Sequence, residues 1–246
     1  MTFKASALLR AARLTAAAAG GAIALAGYSQ SNYATPYAFS TLAGFAPGSA
    51  DGTGAAARFN GPSGVAFDSS GNAYVADSQN DTIRMITPAG AVTTIAGAAG
   101  EVGSDDGPGN AARFSSPNGV AADGAGNIYV ADFGNDTIRQ LTRETVGGVT
   151  TWTTTTIAGT AGQPGSADGK GAAARFKTPA GVAADGSGNV YVADLGNSTI
   201  RKLTPSTVGG VTTWTTATIA GTAGQTGSTD SAKGAPLFDK DRKSVV

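Results

Sequence analysis

The chain has 246 residues, with 17 basic and 17 acidic side chains, 37 glycines, no cysteine and no histidine. Without cysteine there are no disulfides, and without histidine there is no His-ligated zinc, no imidazole base and no Ser-His-Asp triad. The charge is balanced and forms no basic cluster, which argues against nucleic acid or an anionic membrane as partner.

Met1–Arg13 carries Lys4, Arg10 and Arg13 and no acidic residue, and Leu14–Leu25 is an apolar run of 12 residues. Small residues at Ala24 and Ala26 complete the three-part form of a secretory signal peptide, with cleavage expected before Gly27. A run this short, interrupted by Gly20-Gly21, falls short of the ~20 residues a membrane-spanning helix needs, so no anchor is expected after cleavage. Leu25-Ala26-Gly27 resembles the start of a lipobox, but Tyr28 stands where the lipidated Cys belongs. The predicted location is secreted or periplasmic. The remaining chain keeps 14 basic and 17 acidic groups, a net of −3. Export permits disulfides, and with none available stability has to come from packed secondary structure. Residues 27–38 are small and polar and read as a disordered leader.

From about residue 39 the chain repeats itself. AARFNGPSGVAFDSSGNAYVAD (56–77), AARFSSPNGVAADGAGNIYVAD (111–132) and AARFKTPAGVAADGSGNVYVAD (173–194) are one segment in three copies. Arg58 to Arg113 spans 55 residues and Arg113 to Arg175 spans 62, and Asp77, Asp132 and Asp194 keep those offsets. A period of this size signals stacked supersecondary units. The units are bounded as 41–97, 98–159 and 160–221, followed by a partial unit at 222–238 and an off-pattern tail at 239–246.

Each unit opens on a Gly- and Asp-rich loop, passes Ala-Arg-Phe, and then reads as four short strands separated by turn residues. In the middle unit these are Gly119–Ala122, Ile128–Ala131, Thr137–Thr142 and a last strand ending in Thr-Ile-Ala-Gly. The second strands, AYVA, IYVA and VYVA, are apolar on both faces, as a strand must be when its sheet is covered on both sides. Sheets stacked face to face around an axis supply that double burial. The prediction is therefore an all-β β-propeller of four-stranded antiparallel blades, three complete and others partial, in an incomplete ring. Phe39–Gly44 reads as a lone fourth strand whose three partners are missing. After Phe238 the chain reads DKDRKSVV instead of continuing the pattern, which reads as truncation of a longer protein in preference to several copies closing one ring.

The difference between 55 and 62 residues has one source. Unit one joins its last two strands through Pro88-Ala89-Gly90, whereas units two and three lengthen both strands around Gly147-Gly148 and Gly209-Gly210. A Gly-Gly pair suits the positive φ of a two-residue hairpin turn. The lengthened arms carry Trp152 and Trp214, expected to pack on a neighbouring hairpin, with a contact surface as the alternative reading.

The pattern ARFxxPxGVAxDxxGNxYVADxxNxTIRxxT followed by TIAG closely resembles the NHL repeat, over about residues 40–238. The resemblance implies propeller blades of the six-bladed kind. In that family such propellers serve as protein- or RNA-binding platforms or as the scaffold of an amidating lyase. Related SMP-30/gluconolactonase-like propellers hold a catalytic metal on acidic and Asn side chains in the central channel.

Asp77, Asp132 and Asp194, with Asn80, Asn135 and Asn197 three residues on, are read as turn-forming residues that each blade needs. Arg84, Arg139 and Arg201 are expected to pair with such acids or with the next blade. Arg58, Arg113 and Arg175 are expected to tie down the preceding loop, with a place on an exposed face as the alternative. Asp51, Asp106 and Asp168 precede Gly as calcium-binding aspartates do, yet each loop offers one carboxylate where calcium wants several oxygens. No cofactor is expected, and calcium at these three positions is the only metal alternative. Glu101 and Glu144 are the only glutamates, and no acidic cluster breaks the repeat, so no catalytic residue is assigned. The expected function is an exported binding or structural module with a protein or glycan partner. The alternative is a metal-dependent hydrolase of the SMP-30 kind whose catalytic blades lie beyond this sequence.

Overall fold

The computed structural model describes residues 40–228 and Phe238. The expected signal peptide (1–26), the leader (27–38) and the tail (239–246) lie outside the described residues. Among the described residues no helix is long and apolar enough to cross a membrane.

Three antiparallel sheets follow one another along the chain. Blade 1 comprises β1 (Gly52–Thr53), β2 (Pro62–Phe67), β3 (Ala73–Asp77), β4 (Thr82–Ile86) and β5 (Ala91–Ala96). Blade 2 comprises β6 (Gly107–Pro108), β7 (Pro117–Ala122), β8 (Ile128–Asp132), β9 (Thr137–Val146) and β10 (Val149–Ala158). Blade 3 comprises β11 (Gly169–Lys170), β12 (Pro179–Ala184), β13 (Val190–Asp194), β14 (Thr199–Val208) and β15 (Val211–Gly221). The blades stand side by side as in an incomplete β-propeller, and among the described residues the sheets do not close into a ring.

Each blade has five strands, one more than the sequence pattern predicts. The order in blade 1 is β1-β5-β4-β3-β2, and the others repeat it. The extra strand is a two-residue strap within the Gly- and Asp-rich loop, antiparallel to the last strand of its own unit, with Gly52 opposite Val92 and Thr53 opposite Ala91. A second correction concerns residues 40–44. They form no strand, because the strands they would pair with are absent among the described residues.

The second strands carry the packing. β3 and β8 are buried at every residue and β13 at all but Tyr191, although each sheet alternates its side chains between two faces. One core joins blades 1 and 2 through Tyr74, Ile83 and Ile95 against Phe114, Val120 and Leu141. A second joins blades 2 and 3 through Tyr129, Ile138 and Ile157 against Phe176, Val182 and Leu203. The innermost strands approach closely, and a side chain at Gly64 or Gly119 would run into the backbone carbonyl of Asn118 or Ala180. At the rim, Gly147 and Gly148 have φ of 58° and 81°, and Gly209 and Gly210 repeat these values. That is the type I′ geometry matching the twist of a two-residue hairpin, and it extends β9–β10 and β14–β15 outward.

Candidate functional site

The repeated acidic, amide and basic residues converge on one node in each blade. The Arg84 side chain, from β4, is fully buried. Its Nη1 donates to Asp77 Oδ2 at 2.8 Å and to the Arg58 carbonyl at 2.9 Å. Its Nη2 donates to Asp51 Oδ1 at 2.7 Å and to the Ala50 carbonyl at 3.0 Å. The guanidinium lies over the Phe59 ring, 5.0 Å from the centroid, where the ring's negative face attracts it. Asn80 Nδ2 bridges Asp77 Oδ2 and the Gly48 carbonyl, both at 2.7 Å. Arg139 with Asp132, Asp106 and Asn135, and Arg201 with Asp194, Asp168 and Asn197, repeat the arrangement.

The node joins the end of the second strand, the third strand and the strap loop. Isolated charges are costly to bury, and here each buried carboxylate meets a guanidinium and further donors. Burial pushes the Asp132 carboxyl up to about 6 against the pull of Arg139, Asn135 and the Ser115 amide, and Asp194 also rises, mainly through burial. At Asp51 and Asp168 burial acts in the same direction, but bonds from Thr94 or Thr218 and from the arginine outweigh it and hold both below the usual carboxylate value. The carboxylate of Asp51 is engaged by Arg84 and by the Thr94 amide and hydroxyl. Arg84, Arg139 and Arg201 each engage one carboxylate oxygen of Asp51, Asp106 and Asp168.

Arg58, Arg113 and Arg175 each donate to carbonyls of the residues just before them, Ala57, Ala112 and Ala174 among others. Arg113 also reaches Glu101, and Arg175 reaches Gln163 at 2.9 Å, each in the preceding loop. Trp152 and Trp214 are buried and lie edge-on to a tyrosine of the previous blade. Trp152 is 5.7 Å from Tyr74 and Trp214 is 5.8 Å from Tyr129.

Two further sets of residues act across the structure. Asp68, Asp123 and Asp185 each cap the turn after the innermost strand. Asp68 Oδ1 accepts from the Ser70 and Asn72 amides, and Oδ2 accepts from Asn72 Nδ2 and the Tyr74 hydroxyl. Burial, with help from Asp68, pushes the Tyr74 phenol up to about 12. Asp81 and Asp136 clamp successive blades: Asp81 Oδ1 accepts from the Ser116 amide of blade 2 and Asp136 Oδ1 from the Thr178 amide of blade 3, both at 2.7 Å. Blade 3 has Ser198 at this position.

A further concave surface lies at the rim, away from these groups. Between the extended hairpins of blades 2 and 3 runs a groove of about 540 Å³. Gln140, Thr155 and Thr156 line one wall, Thr212, Thr213 and Trp214 the other, and Lys170 of the blade-3 strap opens onto it. Strand alternation places Thr151, Thr153 and Thr155 on one face of β10, opposite Glu144, Thr142 and Gln140 of β9. Blade 1 has no extended hairpin, so its junction with blade 2 forms no such channel between two arms.

The family model described as "NHL repeat" matches residues 59–84, 114–141 and 176–203, in each blade from the Phe of Ala-Arg-Phe into the third strand. Protein SUPPRESSOR OF QUENCHING 1, chloroplastic, of Arabidopsis thaliana is 34% identical over 152 residues, which is 58% of this chain and 14% of that protein. A structural genomics protein of unknown function from Bacteroides thetaiotaomicron is 26% identical with a TM-score of 0.44, covering 60% of this chain and 32% of the other. An auxiliary nutrient binding protein from the same organism is 24% identical with a TM-score of 0.44, covering 53% and 34%. The chain therefore spans about a seventh of the curated relative and about a third of each solved chain. The chain carries three NHL repeats, one in each of three β-propeller blades.

Proposed function

We propose that the chain is an exported recognition module and that the groove between the two extended hairpins is its binding site for a glycan. The observation behind this reading is the groove itself, lined by Gln140, Thr155, Thr156, Thr212, Thr213 and Trp214. Hydroxyls and amides both donate and accept, as sugar hydroxyls do, and they discriminate by geometry without net charge. The residues that build the blades repeat three times, whereas this channel occurs where two long hairpins stand side by side. Export is supported by the three-part leader in the sequence.

The test is calorimetric titration of the purified chain with a panel of neutral oligosaccharides, beside a variant carrying Thr155→Val and Thr212→Val. Binding that weakens about tenfold or more in the variant supports the groove, since two lost hydrogen bonds of ~1 kcal/mol each suffice. Binding that the variant leaves unchanged, or capture of a protein ligand with no response to any sugar, refutes it.

A further inference from the structure

One interface is used twice inside this chain, and its two halves are also presented outward, one on each terminal blade. On the leading face, Val120 and Phe114 of blade 2 and Val182 and Phe176 of blade 3 are buried against the preceding blade, at 6%, 0%, 5% and 0% exposure. In blade 1 the counterpart of Val120, Val65, is 60% exposed, and Phe67, at the Ala122 position, is 65% exposed. Phe59, the counterpart of Phe114, is partly buried, and with Val65 it lines a depression of about 290 Å³ alongside Ala43, Pro62, Val75 and Ile86. On the trailing face, Ile95 and Ile157 are 6% exposed, whereas Ile219 of blade 3 is 50% exposed. Tyr74 and Tyr129 are each covered by a tryptophan of the next blade, whereas Tyr191 is met by Lys202 of its own sheet.

We propose that these faces take each other, so that blade 1 of one copy docks on blade 3 of a second copy, head to tail. The occupant follows from continuity with the internal junctions, because the exposed residues hold the register positions that pack together twice within the chain. Each outward face holds a segment of this chain at a position that the neighbouring blade fills in the internal junctions. At the front, Phe59 rests on Gly44 as Phe114 rests on Gly97, and the Gly44 amide donates to the Gly54 carbonyl as Gly97 does to Gly109. At the rear, Phe238 packs over Gly221, and its carbonyl accepts from the Gly227 amide. A docking copy displaces these segments. It also lacks the tryptophan, and it meets Ser198 where the internal junctions have the Asp81 or Asp136 clamp. The contact between copies is therefore weaker than those within the chain, and it is reversible. A face that pairs with a different face is heterologous, giving a ring where the rotation closes and a filament where it does not.

Sedimentation velocity of the full chain over a concentration series tests this. The expected result is a mass of one copy at low concentration rising to two or more. Val65→Glu with Phe67→Glu holds the mass at one copy while strand circular dichroism and the melting temperature stay unchanged, since both side chains are exposed. Ser198→Asp restores the clamp, giving a charge-assisted bond to the partner's backbone, and lowers the midpoint concentration about tenfold. A single copy at all concentrations overturns the proposal, as does assembly that survives the double substitution. A single copy whose Val65→Cys thiol resists a maleimide also overturns it, because the chain then covers its own face.

Discussion

The node at Arg84, Arg139 and Arg201 and the rim at β9–β10 and β14–β15 obey different rules. The node is the same in all three blades, down to bonds of 2.7–2.9 Å from each arginine to its two aspartates. The rim differs, with a short turn in blade 1 and seven further residues in blades 2 and 3. A buried charge network tolerates little change, because removing one member strands the others without water. An exposed hairpin has no such constraint, since its polar side chains are solvated whatever their neighbours. The repeated and the variable parts of the chain thus lie apart, one at the buried node and the other at the rim of blades 2 and 3.

The strongest way to break this contrast is Asp132→Ala, which leaves Arg139 buried beside an empty site. A loss of about 3–5 kcal/mol is expected, read as a lower urea midpoint. Trp152→Ala tests whether the rim is as free as it looks, because this residue belongs to a hairpin yet packs on Tyr74. A loss of about 3 kcal/mol is expected from the emptied aromatic contact. Asp136→Ala removes the clamp to Thr178 and should cost about 1–2 kcal/mol, with an upfield shift of the Thr178 amide proton as its signature.

The smallest effect is the response to acid. Asp51, Asp68, Asp168 and Asp185 have folded values below 3.8, so their contribution is present above that pH and is lost as pH falls through their folded values. Asp132 behaves in the opposite sense. Its folded value of about 6 makes its contribution largest below 3.8, and that contribution declines as pH rises from 3.8 to 6. The melting temperature should therefore change little between pH 4 and 7 and decline modestly below 3.8. Asp132→Asn should remove the component between 4 and 6.

Much of this fold is legible in the sequence because repetition substitutes for an alignment. Three copies of GVAxD and YVAD mark the inner strands, their two-sided apolar character implies stacking, and Gly-Gly marks the hairpin turn. The strap strands are hidden because two residues carry no periodicity, and Gly52 reaches its place through a φ of 151° open mainly to glycine. The clamps at Asp81 and Asp136 are hidden for another reason. Their partners lie 35 and 42 residues away, and a backbone amide has no residue signature. The visible trace is the substitution of Ser198 in the third copy. The groove is also invisible from one repeat, since it forms where two neighbouring hairpins are long.

Each strap pairs with the last strand of its own unit, so among the described residues no sheet borrows a strand from another. Duplication or deletion of one unit in the gene therefore inserts or removes a whole sheet, with no orphaned edge left behind. Arrays of this design therefore change length in steps of one whole blade.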